Sequence, residues 1–130
     1  MTWEAGQGHY PYQAVIDAYG DGGFRFAEMS HRGSVMSLPT GMYAWDVDAA
    51  AGITLQSLSR ALEAADALDV LLIGTGPDIA AISPDIRPAF REKGVIIEAV
   101  STGSAVRTYN VLLAENRAVG AALISVAKAR

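Results

Sequence analysis

The chain contains no cysteine among its 130 residues. Disulfide bridges, zinc–thiolate sites and a cysteine nucleophile are therefore excluded from its chemistry. Positive charge is also scarce, because 10 lysines and arginines stand against 14 aspartates and glutamates, which gives a formal net charge of −4. A nucleic-acid-binding face needs clustered lysine and arginine, whereas here the arginines are dispersed along the chain. We therefore expect no nucleic-acid partner.

Signals for targeting and for membrane insertion are missing as well. No lysine or arginine precedes Arg25, although secretory leaders and mitochondrial presequences both carry early positive charge. No apolar run approaches the ~20 residues that are needed to cross a bilayer. These absences predict a soluble cytoplasmic protein without a membrane span.

Apolar residues are plentiful, at 51% of the chain against 18% charged residues. A chain of this length is expected to form one domain with a substantial core. We assign residues 1–12 to a flexible N-terminal arm, 13–126 to a single domain and 127–130 to a C-terminal tail. The apolar composition also favours a homo-oligomer or a protein partner that covers part of the surface.

The first third of the domain, residues 13–46, alternates apolar and polar residues with a period of two. Turn residues interrupt this pattern at 20–23 and again at 30–33, and Phe24 and Phe26 lie on one face of the strand between them. Glycine-rich turns between short alternating segments are typical of hairpins. The pattern predicts an antiparallel meander.

The remainder alternates helices with continuous apolar runs, which are typical of strands buried on both faces. We expect a helix to begin at Thr54 and another to follow Ser83, with Pro88 either restarting or bending that second helix. Helices between consecutive strands imply right-handed crossovers in a largely parallel sheet. The predicted strands are 70–73, 95–100 and 119–126, and the predicted last helix is 102–117. The sequence therefore predicts an α/β domain with an additional β layer.

The last predicted helix carries the densest group of polar residues. Arg107, Asn110 and Arg117 fall on one stripe, and a glycine with small hydroxyl residues opens the helix. A second glycine turn follows the first buried strand, and the carboxyl ends of such strands are where α/β sheets hold ligands. A helix N-terminus and an arginine could bind a small carboxylate or phosphate. The candidate ligand-binding residues are Gly74, Thr75, Gly76, Thr102, Gly103, Ser104, Arg107, Thr108 and Asn110.

A structural interpretation of the same residues stands beside this one. The two glycine turns match neither the phosphate loop nor the dinucleotide-binding fingerprint, so they could be tight connections. Arg107 could form an ion pair with Glu98, Asp78 or Glu115 instead of binding an anion. Asn110 could hydrogen-bond a loop backbone, because a buried amide needs partners.

Catalytic groups are few, and the sequence favours a protein that is not an enzyme. His9 lies in the arm and His31 in a predicted turn, so neither joins the polar cluster. Ser101 and Ser104 have no general base nearby in sequence. We assign no catalytic residue, no metal site and no cofactor.

Several motifs together resemble a known family. They are Leu72-Ile73-Gly74-Thr75-Gly76, the run from Thr102 through Arg107-Thr108-Tyr109-Asn110 to Leu112, Glu115-x-Arg117 and Ala121-Ala122-Leu123-Ile124. The similar family comprises small uncharacterised proteins and includes mitochondrial complex I assembly factor 3 and an adipogenesis-associated mammalian protein. The resemblance implies a three-layered α/β fold, with a mixed central sheet, flanking helices and an added antiparallel β layer. It also implies a non-enzymatic role in protein interaction or assembly; a small-anion-binding protein or enzyme is the alternative.

Overall fold

The structure, a computed structural model, describes residues 2–3 and 9–129, while residues 1, 4–8 and 130 lie outside this description. The strands are β1 (Thr2–Trp3), β2 (His9–Tyr10), β3 (Ala18–Gly20), β4 (Gly23–Phe26), β5 (Met29–Arg32), β6 (Ser34–Leu38), β7 (Gly41–Trp45), β8 (Val70–Gly74), β9 (Ile96–Val100) and β10 (Val119–Leu123). The α-helices are α1 (Ser59–Glu63), α2 (Ile86–Arg91) and α3 (Thr102–Ala114).

A mixed sheet forms the middle of three layers, with the strand order β2-β7-β6-β10-β8-β9. One face packs against α1 and α2 around a core that includes Leu58, Ile86 and Phe90. The other face packs against α3 and a second sheet, with the order β1-β5-β4-β3, around a core that includes Phe26 and Tyr109. The predicted three-layered α/β fold with an added β layer is therefore confirmed.

The predicted parallel part of the central sheet consists of β8, β9 and β10. β8 pairs in parallel with both neighbours, and β10 pairs antiparallel with β6. Leu71, Leu72 and Ile73 are all buried, because α1 and α2 cover one face of β8 and α3 covers the other. This burial on both faces explains the apolar run without alternation.

The predicted meander is divided between the two sheets, and one of its turns lies earlier than expected. Residues 30–33 were predicted to turn, but 29–32 form β5, and the turn falls at Ala27 and Glu28, which have φ of 50° and 62°. Two consecutive residues in the left-handed conformation are typical of a tight hairpin turn. Such positions usually hold glycine, so the composition of this segment did not reveal the turn. Gly33, with φ of 88°, then lets the chain pass from one sheet into the other.

Two helices differ from their predicted bounds in ways that polar groups and proline explain. Thr54 and Ser57 cap each other's backbone N–H groups as expected of a helix start, yet the regular helix begins at Ser59. The second helix begins at Ile86, so that Pro88 lies in its first turn, where no N–H donor is required. The helix therefore runs from Ile86 to Arg91 through this proline and does not restart there.

The last helix ends earlier than predicted. Asn116 adopts φ of 60°, and the Arg117 amide donates to the carbonyl of Leu112, which closes α3 after Ala114. Arg117 therefore does not continue the polar stripe of Arg107 and Asn110.

The N-terminal arm contributes two short strands. Residues 2–3 pair in parallel with β5, and residues 9–10 pair antiparallel with β7. The prediction of a flexible arm over 1–12 falls partly on residues outside the description, and the domain limits stay a prediction.

Candidate functional site

The two glycine turns of the sequence meet at one rim of the central sheet. The Thr102 amide donates to the carbonyl of Gly76 at 2.8 Å. A Cβ added to Gly74 would lie 2.9 Å from the Cα of Thr102. Glycine is required at position 74 because the first turn of α3 approaches the end of β8 this closely.

Thr102 holds this rim together from within. Its hydroxyl donates to the carbonyl of Ile124 at 2.7 Å and accepts from the Gly76 amide at 3.1 Å. The side chain is fully buried. Its one hydroxyl therefore joins the ends of β8 and β10 to α3, and it does not face a cleft.

Thr75 has the same role on the other side of the rim. The Thr75 amide donates to the Val100 carbonyl at 2.8 Å. The buried hydroxyl donates to the carbonyl of Asp78 at 2.8 Å and accepts from the Ala80 amide at 3.1 Å. These bonds fix the loop that leaves β8.

The mouth of α3 is the accessible part of the predicted site. Ser101 caps the helix by accepting from the Ser104 amide, and Gly103 and Ser104 are half-buried. The exposed Arg107 guanidinium donates to Ser104 Oγ at 3.3 Å, and Thr108 beside it is exposed. Of the predicted ligand groups, Ser104, Arg107 and Thr108 are thus grouped on the surface.

Asn110 faces a different part of the molecule. Its Oδ1 accepts from the Ile16 amide and its Nδ2 donates to the Ile16 carbonyl, both at 2.8 Å. Asn110 is therefore separated from the rim and holds residues 13–17, which were predicted as part of a strand but pair regularly only from Ala18. The alternative interpretation of Asn110 as a loop anchor matches this geometry.

Tyr109 joins the same segment to the centre of the fold. Its buried hydroxyl donates to the Ala14 carbonyl at 2.6 Å and lies 2.5 Å from Ser37 Oγ. Gln13 donates to the Val119 carbonyl at 2.7 Å. Burial raises the pKa of Tyr109 to about 12, so its hydroxyl remains protonated and serves as a structural donor.

His31 is buried between the two sheets. Its Nε2 lies 2.8 Å from the Ser34 carbonyl, which makes Nε2 the donor, and its ring centroid is 6.2 Å from that of Phe26. Burial lowers the pKa of His31 below 6.5, although the Ser34 carbonyl opposes that shift. Within residues 10–129, no three histidine, aspartate or glutamate side chains are placed to hold a metal ion.

Two charged side chains that no local sequence pattern brings together lie on the outer sheet. Arg25 on β4 and Arg32 on β5 are both exposed, and the strand register sets them diagonally on one face. The sequence showed only dispersed arginines, because the hairpin that brings these two together turns at residues without glycine. Once the turn at Ala27 and Glu28 fixes the register, the period of two along each strand places both arginines on one face.

The architecture is that of a three-layered α/β domain whose rim residues mainly bind one another. Residues 16–124 match the family described as "Protein of unknown function (DUF498/DUF598)", and the chain belongs to that family. No helix within the described residues has the length and apolar character that crossing a membrane requires.

Relatives and solved structures agree with this family. An uncharacterized protein of Rhodobacter capsulatus is 41% identical over 84% of this chain and 82% of its own length. The NADH dehydrogenase [ubiquinone] 1 alpha subcomplex assembly factor 3 of Mus musculus is 30% identical to this chain over 91% of the chain's length. The matched region covers only 64% of that relative's length. The crystal structure of an outer membrane protein from Bartonella henselae superposes with a TM-score of 0.87 at 50% sequence identity, and the match covers 91% of this chain and 99% of that protein's chain.

Proposed function

We propose that this chain is a non-enzymatic protein-binding domain that assists the assembly of a larger complex. The observation that carries the proposal is the internal use of polar groups from the predicted ligand site, both at the rim and at Asn110. Backbone carbonyls of this same chain accept hydrogen bonds from the side chains of Thr75, Thr102 and Asn110. Polar groups that are used in this way favour a scaffold over a reaction centre. The relatives named as complex I assembly factors support the same choice.

The test is deletion of the gene in cells that encode the chain and possess NADH dehydrogenase. We expect the fully assembled enzyme to decline on native gels and partial complexes to accumulate, with both restored by the intact gene. Normal assembly at a normal rate in the deletion strain would overturn the proposed function.

The second candidate function is binding of a small anion at the mouth of α3. The observation that favours it is the surface group of Ser104, Arg107 and Thr108 beside the start of a 13-residue helix. A guanidinium and a helix N-terminus both attract carboxylate and phosphate groups.

A thermal-shift screen of phosphates, carboxylates and nucleotides tests this second candidate. We expect a ligand-dependent rise in Tm that disappears in Arg107→Ala and persists in Arg117→Ala, which removes an exposed arginine just beyond α3. The absence of any shift in the folded wild-type protein would argue against the anion site.

A further inference from the structure

The outer face of the four-stranded sheet carries a groove of about 630 Å³. It runs across β3, β4 and β5, and residues 18–25 and 30–32 line it. The groove lies on the opposite side of this sheet from the core, since Phe24 and Phe26 are buried towards α3 and the central sheet. It is separate from the rim of the central sheet.

Small residues form the floor of this groove. Side chains alternate along β4, so Gly23 and Arg25 lie on the face opposite Phe24. The register sets Ala18 and Ser30 on either side of Arg25, and Gly20 beside Gly23. With little side-chain bulk there, a second chain could lie flat across the strands.

Two arginines supply the charge. Arg25 is paired with Ser30, and Arg32 is paired with Gly23, so the two arginines are diagonal neighbours on adjacent antiparallel strands. The Arg25 guanidinium donates to Ser30 Oγ at 2.8 Å, whereas the Arg32 guanidinium forms no hydrogen bond or ion pair with any of the described residues. Asp21 is the single acid of the lining, so the groove is positive in a chain whose net charge is −4.

The spacing of these charges limits what would bind them. Diagonal neighbours of an antiparallel pair are about 7–8 Å apart, and like charges at such positions repel each other unless a bound anion intervenes. In an extended peptide, alternate side chains face the same way and repeat at roughly 6.5–7 Å. Carboxylates at alternate positions of an extended segment therefore have a spacing close to that of the two arginines. One small anion is too small to contact both guanidiniums equally well.

We propose that the groove binds an extended acidic segment of a partner protein, with carboxylate side chains at alternate positions paired to Arg25 and Arg32. This inference rests on the proposed protein-binding function and names the surface that performs it. Each arginine presents a planar fork of N–H donors to one carboxylate, which fixes the register of the bound segment.

The test uses a fluorescein-labelled peptide in which glutamate alternates with threonine, titrated with the purified chain at low ionic strength. Arg25→Gln combined with Arg32→Gln is expected to weaken binding about tenfold, since each exposed charge pair contributes modestly. The matched control, Arg87→Gln combined with Arg91→Gln, removes the same charge from α2 and should bind as the wild type does. NMR shifts of the amides of residues 18–25 and 30–32 should accompany binding.

Three results would overturn the inference. They are no binding of the peptide by the wild-type chain, equal losses in the groove variant and its control, or inorganic phosphate competing as well as the glutamate peptide. A peptide with glutamine in place of glutamate checks that carboxylates are recognised, and unchanged Tm values check that both variants are folded.

A cellular arm separates failure of this inference from failure of the proposed function. The deletion strain is complemented with the wild-type gene, the groove variant or the α2 control. Rescue by the wild type and the control but not by the groove variant supports the groove. Equal rescue by all three overturns the groove and leaves the assembly function standing, whereas normal assembly in the deletion strain overturns that function independently of the peptide titration.

Discussion

The rim of the central sheet and the outer groove differ in how they use their polar groups. At the rim, Thr75 and Thr102 are buried, and their hydroxyls bond backbone atoms of the same chain. In the groove, Arg25 and Arg32 are exposed, and the Arg32 guanidinium has no polar partner among the described residues. Hydroxyl and glycine residues at strand ends can therefore be structural, while charges on adjacent strands of a hairpin can form the surface available to a partner.

The largest effect is expected from Thr102→Val, which keeps the side-chain shape and removes the hydroxyl. The Gly76 amide and the Ile124 carbonyl then lose a buried partner, so the free energy of unfolding should fall by about 2–4 kcal/mol. Urea unfolding measures the change. The exposed Thr108→Val is the matched control and should change stability by less than about 0.5 kcal/mol. Similar values for the two variants would contradict the structural role of Thr102.

Gly74→Ala tests the close approach of α3 to β8. The new Cβ would lie 2.9 Å from both the Cα and Oγ1 of Thr102, and backbone at that position yields little, so we expect a loss of about 1–3 kcal/mol. Thermal unfolding is the measurement. Gly103→Ala, in the first turn of α3, should instead be neutral or stabilising because alanine favours helix. If Gly74→Ala is as stable as Gly103→Ala, the two turns do not meet as described.

Asn110→Ala tests whether Asn110 holds the N-terminal segment, residues 13–17, independently of the rim of the central sheet. Loss of both amide bonds to Ile16 should cost about 1–2 kcal/mol and speed hydrogen exchange at the Ile16 amide. The neighbouring Val111→Ala removes an exposed side chain and should leave that exchange rate unchanged. Anion binding at the α3 mouth, if present, should survive Asn110→Ala. An unchanged exchange rate at Ile16 would mean that Asn110 does not hold this segment.

Much of the fold followed from apolar periodicity, and the errors occurred where polar contacts or backbone geometry decide. The unbroken run at Val70–Ile73 predicted a strand buried on both faces, because only such a strand lacks polar positions. The turn at Ala27 and Glu28 was missed, because two left-handed residues without glycine leave no compositional signal. The local pattern assigned residues 13–17 to a strand, but Tyr109 and Asn110 of α3 hold this segment through hydrogen bonds to Ala14 and Ile16.

The candidate site was predicted only in its placement. Strand ends and glycines correctly indicated that the two turns share a rim, since the parallel strands β8 and β9 end at the same edge of the sheet. Whether a threonine hydroxyl faces outward or bonds a neighbouring carbonyl depends on contacts between residues 22 positions apart, as with Thr102 and Ile124. No local pattern encodes that choice, and anion binding at Ser104 and Arg107 stays a prediction.

A smaller effect is expected from pH, through His31 between the two sheets. Burial lowers its pKa below 6.5, so the unfolded chain takes up a proton more readily than the folded chain as the pH falls through 6.5. The stability contributed by neutral His31 is therefore present above that pH and is lost below it. Urea midpoints from about pH 7.5 to pH 5 should fall more steeply for the wild type than for His31→Gln. Parallel profiles would show that His31 is not the responsible group.

The smallest effect on stability is expected from substitution of the groove arginines. A small effect there would contrast directly with the large effect expected at the rim. Arg25→Gln combined with Arg32→Gln removes two exposed like charges and one exposed hydrogen bond, so the free energy of unfolding should change by less than about 0.5 kcal/mol. Urea unfolding at low and at high salt measures it, with the wild type approaching the variant as salt screens the repulsion. A loss comparable to that of Thr102→Val would mean that the arginines support the fold, and the groove would then resemble the rim. An unchanged free energy of unfolding would mean that the fold does not need these two positive charges. Both guanidiniums could then bind a ligand without a loss of stability.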